Sequence, residues 1–112
     1  MVRELTHFIG GEHVAGTSGR CADVFDPSTG EVQARVPLAS ADEVRAAIAD
    51  AERAQVAWGA ANPQRRARVL MRFVDLVKRD TEELARLLSS EHGKTVDDAK
   101  GDIQRGVEVI EF

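Results

Sequence analysis

The sequence predicts an α+β fold, with two short β-hairpins over residues 1–39 followed by about four helices over residues 40–112. Three observations predict it. The first third carries short apolar runs broken by Gly and Pro, the punctuation of hairpins. Beyond Ser40, apolar residues recur every three or four positions up to Ile110. Where the two textures meet, Ser40 is followed three residues later by Glu43, a pairing that starts helices.

The elements follow in order. His7 to Val14 reads as a hairpin around Gly10-Gly11, since two glycines supply the positive φ values of a two-residue turn. Gly16 to Gly19 reads as a loop, and Cys21 sits in a small, polar loop region. Val24-Phe25 leads into Asp26-Pro27-Ser28-Thr29-Gly30, a dense turn signal. Val32, Ala34 and Val36 then alternate with Glu31, Gln33 and Arg35, the period of a strand with one buried face. The first helix starts at Ser40 and turns Val44, Ala47, Ile48, Ala51, Ala54 and Trp58 inward. Asn62-Pro63 starts the second, because Asn caps and Pro is tolerated at the first helical position. Its inward residues are expected to be Val69, Leu70, Phe73, Leu76 and Val77, opposite a basic face with Arg65, Arg68, Arg72 and Arg79. Asp80 with Glu83 reads as another capping box, and Gly93 as the left-handed residue that closes the third helix. Thr95 with Asp98 opens the last helix, whose stripe is Ala99, Ile103, Val107 and Ile110. No Gly, Asn or Pro closes it, so the chain is expected to be a piece of a longer protein.

Composition narrows the function. At 112 residues the chain is one domain at most. Fifteen Lys and Arg against nineteen Asp and Glu give a net charge of −4, which argues against a nucleic-acid partner bound through phosphate neutralisation. A single cysteine, Cys21, excludes an internal disulfide and a Cys-rich zinc site. There is no apolar stretch of signal-peptide or membrane-span length, so a soluble, cytoplasmic chain without a membrane partner is expected.

No motif for catalysis, cofactor or metal binding emerges from the residues themselves. Gly93-Lys94-Thr95 has the tail of a phosphate loop, but Leu88 stands where its first Gly belongs and a helix precedes it. His7, His13 and His92 have no ligand spacing. Cys21 has no neighbour to lower its pKa, and no G-x-G-x-x-G follows a strand. Arg105 is the one candidate site residue. It lies at helical spacing from Asp98, Asp102 and Glu108, where a surface ion pair is the commoner outcome. The alternative is a guanidinium presented to a carboxylate ligand, which its planar fork suits.

Five segments in register carry a resemblance. Phe8-Ile9-Gly10-Gly11-Glu12-His13-Val14, Asp26-Pro27-Ser28-Thr29-Gly30-Glu31-Val32, Val36-Pro37-Leu38-Ala39-Ser40, the helix with Ala47, Ile48, Ala51 and Trp58, and Glu91-His92-Gly93-Lys94-Thr95 together resemble the N-terminus of the aldehyde dehydrogenase superfamily. The stretch after Glu91, with Ala99, Gly101-Asp102, Arg105-Gly106 and Val109, is most similar to the CoA-acylating methylmalonate-semialdehyde dehydrogenase branch. Asp26 stands where that family usually has Asn, and suits the same turn.

The resemblance implies the N-terminal piece of an α/β NAD-binding domain, in an enzyme that uses NAD and CoA. Its chemistry would be thiolate attack on a carboxylated aldehyde, hydride transfer, decarboxylation and thioester exchange, a step of valine breakdown. It implies a homo-oligomer and places Arg105 along the substrate tunnel. The catalytic Cys, the general-base Glu and the dinucleotide site would lie beyond Phe112, so this chain alone is expected neither to catalyse nor to bind cofactor. Two alternatives are a segment of a generic aldehyde dehydrogenase and a stand-alone helical interaction module, whose helix-two arginines would meet an acidic partner.

Overall fold

The computed structural model describes all residues, 1–112. Five strands come first: β1 (Arg3–Glu4), β2 (His7–Ile9), β3 (Glu12–Val14), β4 (Cys21–Phe25) and β5 (Val32–Pro37). Four helices follow: α1 (Ala41–Ala60), α2 (Pro63–Arg79), α3 (Thr81–His92) and α4 (Val96–Glu111). The chain divides into two compact units, one of residues 1–25 and 30–60, the other of residues 26–29 and 61–112.

The first unit holds all the strands and α1. β2 and β3 pair antiparallel around Gly10 and Gly11, with φ of 63° and 82°, the two positive values expected of this turn. β4 and β5 form the second hairpin, with Val24 opposite Ala34. A third strand escapes the sequence reading. β1 runs parallel to β5, with Arg3 beside Ala34, so the sheet order is β1-β5-β4. Two residues are too few to show a period, and only the partner strand defines them.

Cys21 requires a correction: it opens β4 rather than lying in a loop, and its side chain is exposed. Ala22 and Val24 are half-buried while Cys21, Asp23 and Phe25 are exposed, so the period of two was present but short. Ala34 of β5 is fully buried, as its place in the alternation requires.

α1 begins as its capping box demands. The Ser40 N–H donates to Glu43 Oε2 at 2.7 Å, and the Glu43 N–H donates to Ser40 Oγ at 3.2 Å. The other Glu43 oxygen accepts the Thr17 N–H at 2.7 Å, tying the preceding loop to the helix start. Yet no residue of α1 is buried. Of its expected inward stripe, Val44, Ile48 and Trp58 are 47%, 63% and 40% exposed. Periodicity identifies an apolar face; within this unit it is covered only in part, with Ala47 half-buried.

The second unit packs α2, α3 and α4 together around Val74, Ala85, Ala99 and Val107. Ala99 and Val107 lie on the α4 stripe read from the sequence. α2 needs a correction, since its buried residue is Val74. Phe73 and Leu76, assigned inward, are about half exposed. This helix has apolar residues on two faces, and α3 and α4 occupy only one.

Local chemistry sets the ends of these helices. The Asn62 side chain accepts the Gln64 N–H at 2.8 Å ahead of Pro63. Gly93 closes α3 at φ 84°, ψ 5°, with its N–H bonded to the Ser89 carbonyl. Thr95 Oγ1 accepts the Asp98 N–H and starts α4. The expected capping box at Asp80 does not form. Asp80 both ends α2 and precedes α3 without a gap, at φ −99°, ψ 13°. Its side chain caps nothing and instead takes both Nε and Nη2 of Arg79.

Candidate functional site

Arg105 projects from the middle of α4 and its side chain is 68% exposed. Of the three acidic neighbours considered from spacing, the structure selects Asp102, one turn earlier. Arg105 Nη2 donates to Asp102 Oδ1. Glu108 is engaged by Gln104 at 3.1 Å. The Nη1 end of the guanidinium lies near Gly101, 3.9 Å from where a β-carbon would stand.

A second cation completes the cluster and was missed in the sequence reading. Lys94 Nζ donates to Asp102 Oδ2, so each Asp102 oxygen holds one cation. In the sequence Lys94 stands out only as part of Gly93-Lys94-Thr95, in the tail of a phosphate loop and in a segment of the family resemblance. It lies between the left-handed Gly93 and the cap residue Thr95, and its carbonyl accepts Ser89 Oγ at 2.7 Å. The ion pair joins a coil residue to a helix residue eight positions on, a separation with no sequence rule. Both hydrogen bonds hold the Asp102 carboxyl below the usual carboxylate range, the Lys94 bond first.

Both units also carry apolar grooves. One in the first unit, of about 430 Å³, is lined by Phe8, Ile9, Val44, Ala47 and Ile48 among others. One in the second unit, of about 520 Å³, runs along Leu70, Met71, Val74 and Ile110 beside Phe112. Neither is lined by a Cys, Ser or Thr, and the Lys78 amine of the second is ion-paired with Glu111 at 2.6 Å, which raises its pKa and keeps it charged. Cys21 is an exposed strand residue. His13 accepts from or donates to Thr6 Oγ1 at 2.9 Å and stands edge-on to Phe8. No three His, Cys, Asp or Glu side chains are placed to hold a metal ion, and no helix is long and apolar enough to cross a membrane.

The residues present do not fit a dinucleotide. The strand-to-helix passage from β5 to α1 has no glycine loop. The α1 N-terminus, where a pyrophosphate would bind, already holds the Glu43 carboxylate with Asp42 beside it. A second anion there would be repelled.

The arrangement therefore amounts to a helical scaffold that presents Arg105 from its cluster with Asp102 and Lys94. The sequence profile of the aldehyde dehydrogenase family matches residues 13–112, and the chain belongs to that family. A solved structure from Sinorhizobium meliloti, named a methylmalonate-semialdehyde dehydrogenase and complexed with NAD, is 60% identical. It superposes with a TM-score of 0.97, covering 100% of this chain and 23% of its own. The methylmalonate-semialdehyde dehydrogenase of Oceanimonas doudoroffii is 40% identical, with a TM-score of 0.92, over 99% of this chain and 22% of its own. Among curated relatives, malonate-semialdehyde dehydrogenase 2 of Geobacillus thermodenitrificans is 47% identical over 110 residues, which are 98% of this chain and 23% of the relative. The chain thus spans about a quarter of the relatives it matches, at their N-terminal end.

Proposed function

We propose that residues 1–112 form the N-terminal segment of an NAD-dependent, CoA-acylating methylmalonate- or malonate-semialdehyde dehydrogenase, in which Arg105 anchors the carboxylate of the substrate. The observation that carries this reading is the match over the whole chain, at 60% identity and a TM-score of 0.97, to a structure of that name complexed with NAD. The uncovered apolar faces of α1 and α2 support it, since such faces ordinarily meet another part of a protein.

The role of this segment is recognition. Asp102 occupies one Nη2 proton of Arg105, and the remaining guanidinium N–H groups can grip a carboxylate at two points. A substrate fixed at its carboxylate presents its aldehyde carbon at a set distance to groups outside residues 1–112. NAD would supply the hydride acceptor and CoA the acyl acceptor, both held by such outside groups, because the residues here do not form their cradle. A homo-oligomer in a reducing, cytoplasmic compartment belongs to the same reading, with which the lone, exposed Cys21 thiol accords.

The test is a chimera in which residues 1–112 replace the matched segment of the Sinorhizobium meliloti enzyme. It is expected to oxidise malonate semialdehyde with NAD and CoA. Arg105→Leu is expected to raise KM for that substrate far more than for propanal. Equal effects on the two aldehydes would refute the anchor.

A further inference from the structure

An exposed arginine is a poor anchor unless something holds it. Its side chain samples many rotamers, and fixing them on binding subtracts from affinity. We infer that Asp102 is the positioning residue for Arg105, and that Lys94 is the counter-charge that lets Asp102 do this without repelling an anion. The inference deepens the anchor reading of Arg105 and rests on it.

The geometry gives each member one task. Asp102 sits one turn before Arg105 on α4, where side chains three apart meet. Its Oδ1 accepts a hydrogen bond from Arg105 Nη2, which fixes the direction of the guanidinium. Four of the five N–H donors of an arginine remain, so a carboxylate can still be held bidentately.

Asp102 alone would be a flawed support. With only Arg105 as partner the pair is neutral, and the second carboxylate oxygen would have no cation to offset its repulsion of an anion bound at Arg105. Lys94 Nζ occupies that oxygen. Counting formal charges, two cations and one anion leave +1, matched to one substrate carboxylate. Exposure is graded in the same order, with side chains 21% exposed at Lys94, 34% at Asp102 and 68% at Arg105. The support is therefore inside and the recognising group outside. Lys94 is itself fixed, because the backbone on either side caps a helix and its carbonyl takes the Ser89 hydroxyl.

The experiment compares Asp102→Asn, Asp102→Glu, Lys94→Met and Arg105→Leu in the chimera described above, with malonate semialdehyde and propanal as substrates. The readout is the ratio of kcat/KM values for the two aldehydes. Asp102→Asn is expected to lower that ratio on the order of tenfold through KM, as a misplaced binding group does. Lys94→Met should lower it in the same direction, and Asp102→Glu should restore part of it. If Arg105→Leu collapses the ratio while Asp102→Asn and Lys94→Met leave it intact, the positioning role is wrong and the anchor stands. If Arg105→Leu itself leaves the ratio intact, both fall. An Asp102→Asn variant that loses both substrates equally would mark Asp102 as a purely structural residue and overturn the inference.

Discussion

Val107→Ala tests whether α4 is seated as described. Val107 is 2% exposed and is the largest fully buried side chain in the chain. The substitution removes two methyl groups, at about 0.8 kcal/mol each, and leaves a space that relaxes only partly. The cost of burial is then about 2 kcal/mol. Ala is also the better helix former, which returns about 0.5 kcal/mol. Val109→Ala, on the same helix, receives the same return, but Val109 is 77% exposed and gives up almost no burial. Subtracting one variant from the other cancels the helical term and leaves a predicted difference of about 2 kcal/mol. The assay must read the correct unit. The single tryptophan, Trp58, lies in α1, so its fluorescence reports on the other unit. Amide hydrogen exchange along α4, measured in the 112-residue chain, reports on this one. Equal protection in the two variants, or the larger loss in Val109→Ala, would refute the placement of α4.

Three further outcomes are expected. Ser40→Ala removes the oxygen that accepts the Glu43 N–H and should cost about 1 kcal/mol, measured by urea unfolding of the first unit through Trp58. The Glu43 carboxyl is lowered from 4.5 to about 2, chiefly by the backbone N–H of Ser40 and next by that of Thr17. A lowered carboxyl stabilises the fold fully above its unfolded pKa and loses that contribution as protons bind. The first unit should therefore weaken as pH falls from about 4.5 toward 2, and Glu43→Gln should flatten an acid titration in that window. Gly93→Ala should cost about 1–2 kcal/mol, because φ is 84° and the new β-carbon would stand 3.0 Å from Pro27 Cγ. Gly93→Asn should cost less in the backbone term, and thermal melts of both would check the order.

What was legible in the sequence was whatever a few neighbouring residues decide. Gly10-Gly11, Ser40 with Glu43, Asn62-Pro63, Gly93 and Thr95 each act on backbone groups within four positions, and each turn or cap was read correctly. Asp80 looked identical to Ser40 but failed, because the end of α2 left its backbone no extended conformation. β1 was invisible because a two-residue strand is defined by its partner. At the site, Arg105 and Asp102 were legible as an i, i+3 pair. Lys94 was not, since its approach depends on how the coil after Gly93 folds back onto α4.

The apolar faces show the same division between near and far. A stripe in the sequence states that a helix side avoids water, not which neighbour covers it. In the second unit α2 resolves this for Val74 and leaves Phe73 and Leu76 half exposed. In the first, α1 resolves it for no residue. Only Ala34, Val74, Ala85, Ala99 and Val107 are buried, and three of these are alanines that contribute little transfer energy. Caps and turns therefore carry an unusual share of the specification: they set where each helix begins and ends even where no core holds it. That division suits the proposed role. A segment whose local geometry is fixed by its own residues can present Arg105 in a defined place. Its exposed apolar side chains, such as Ile48 on α1 and Phe73 on α2, are the kind of surface that ordinarily meets another part of a protein.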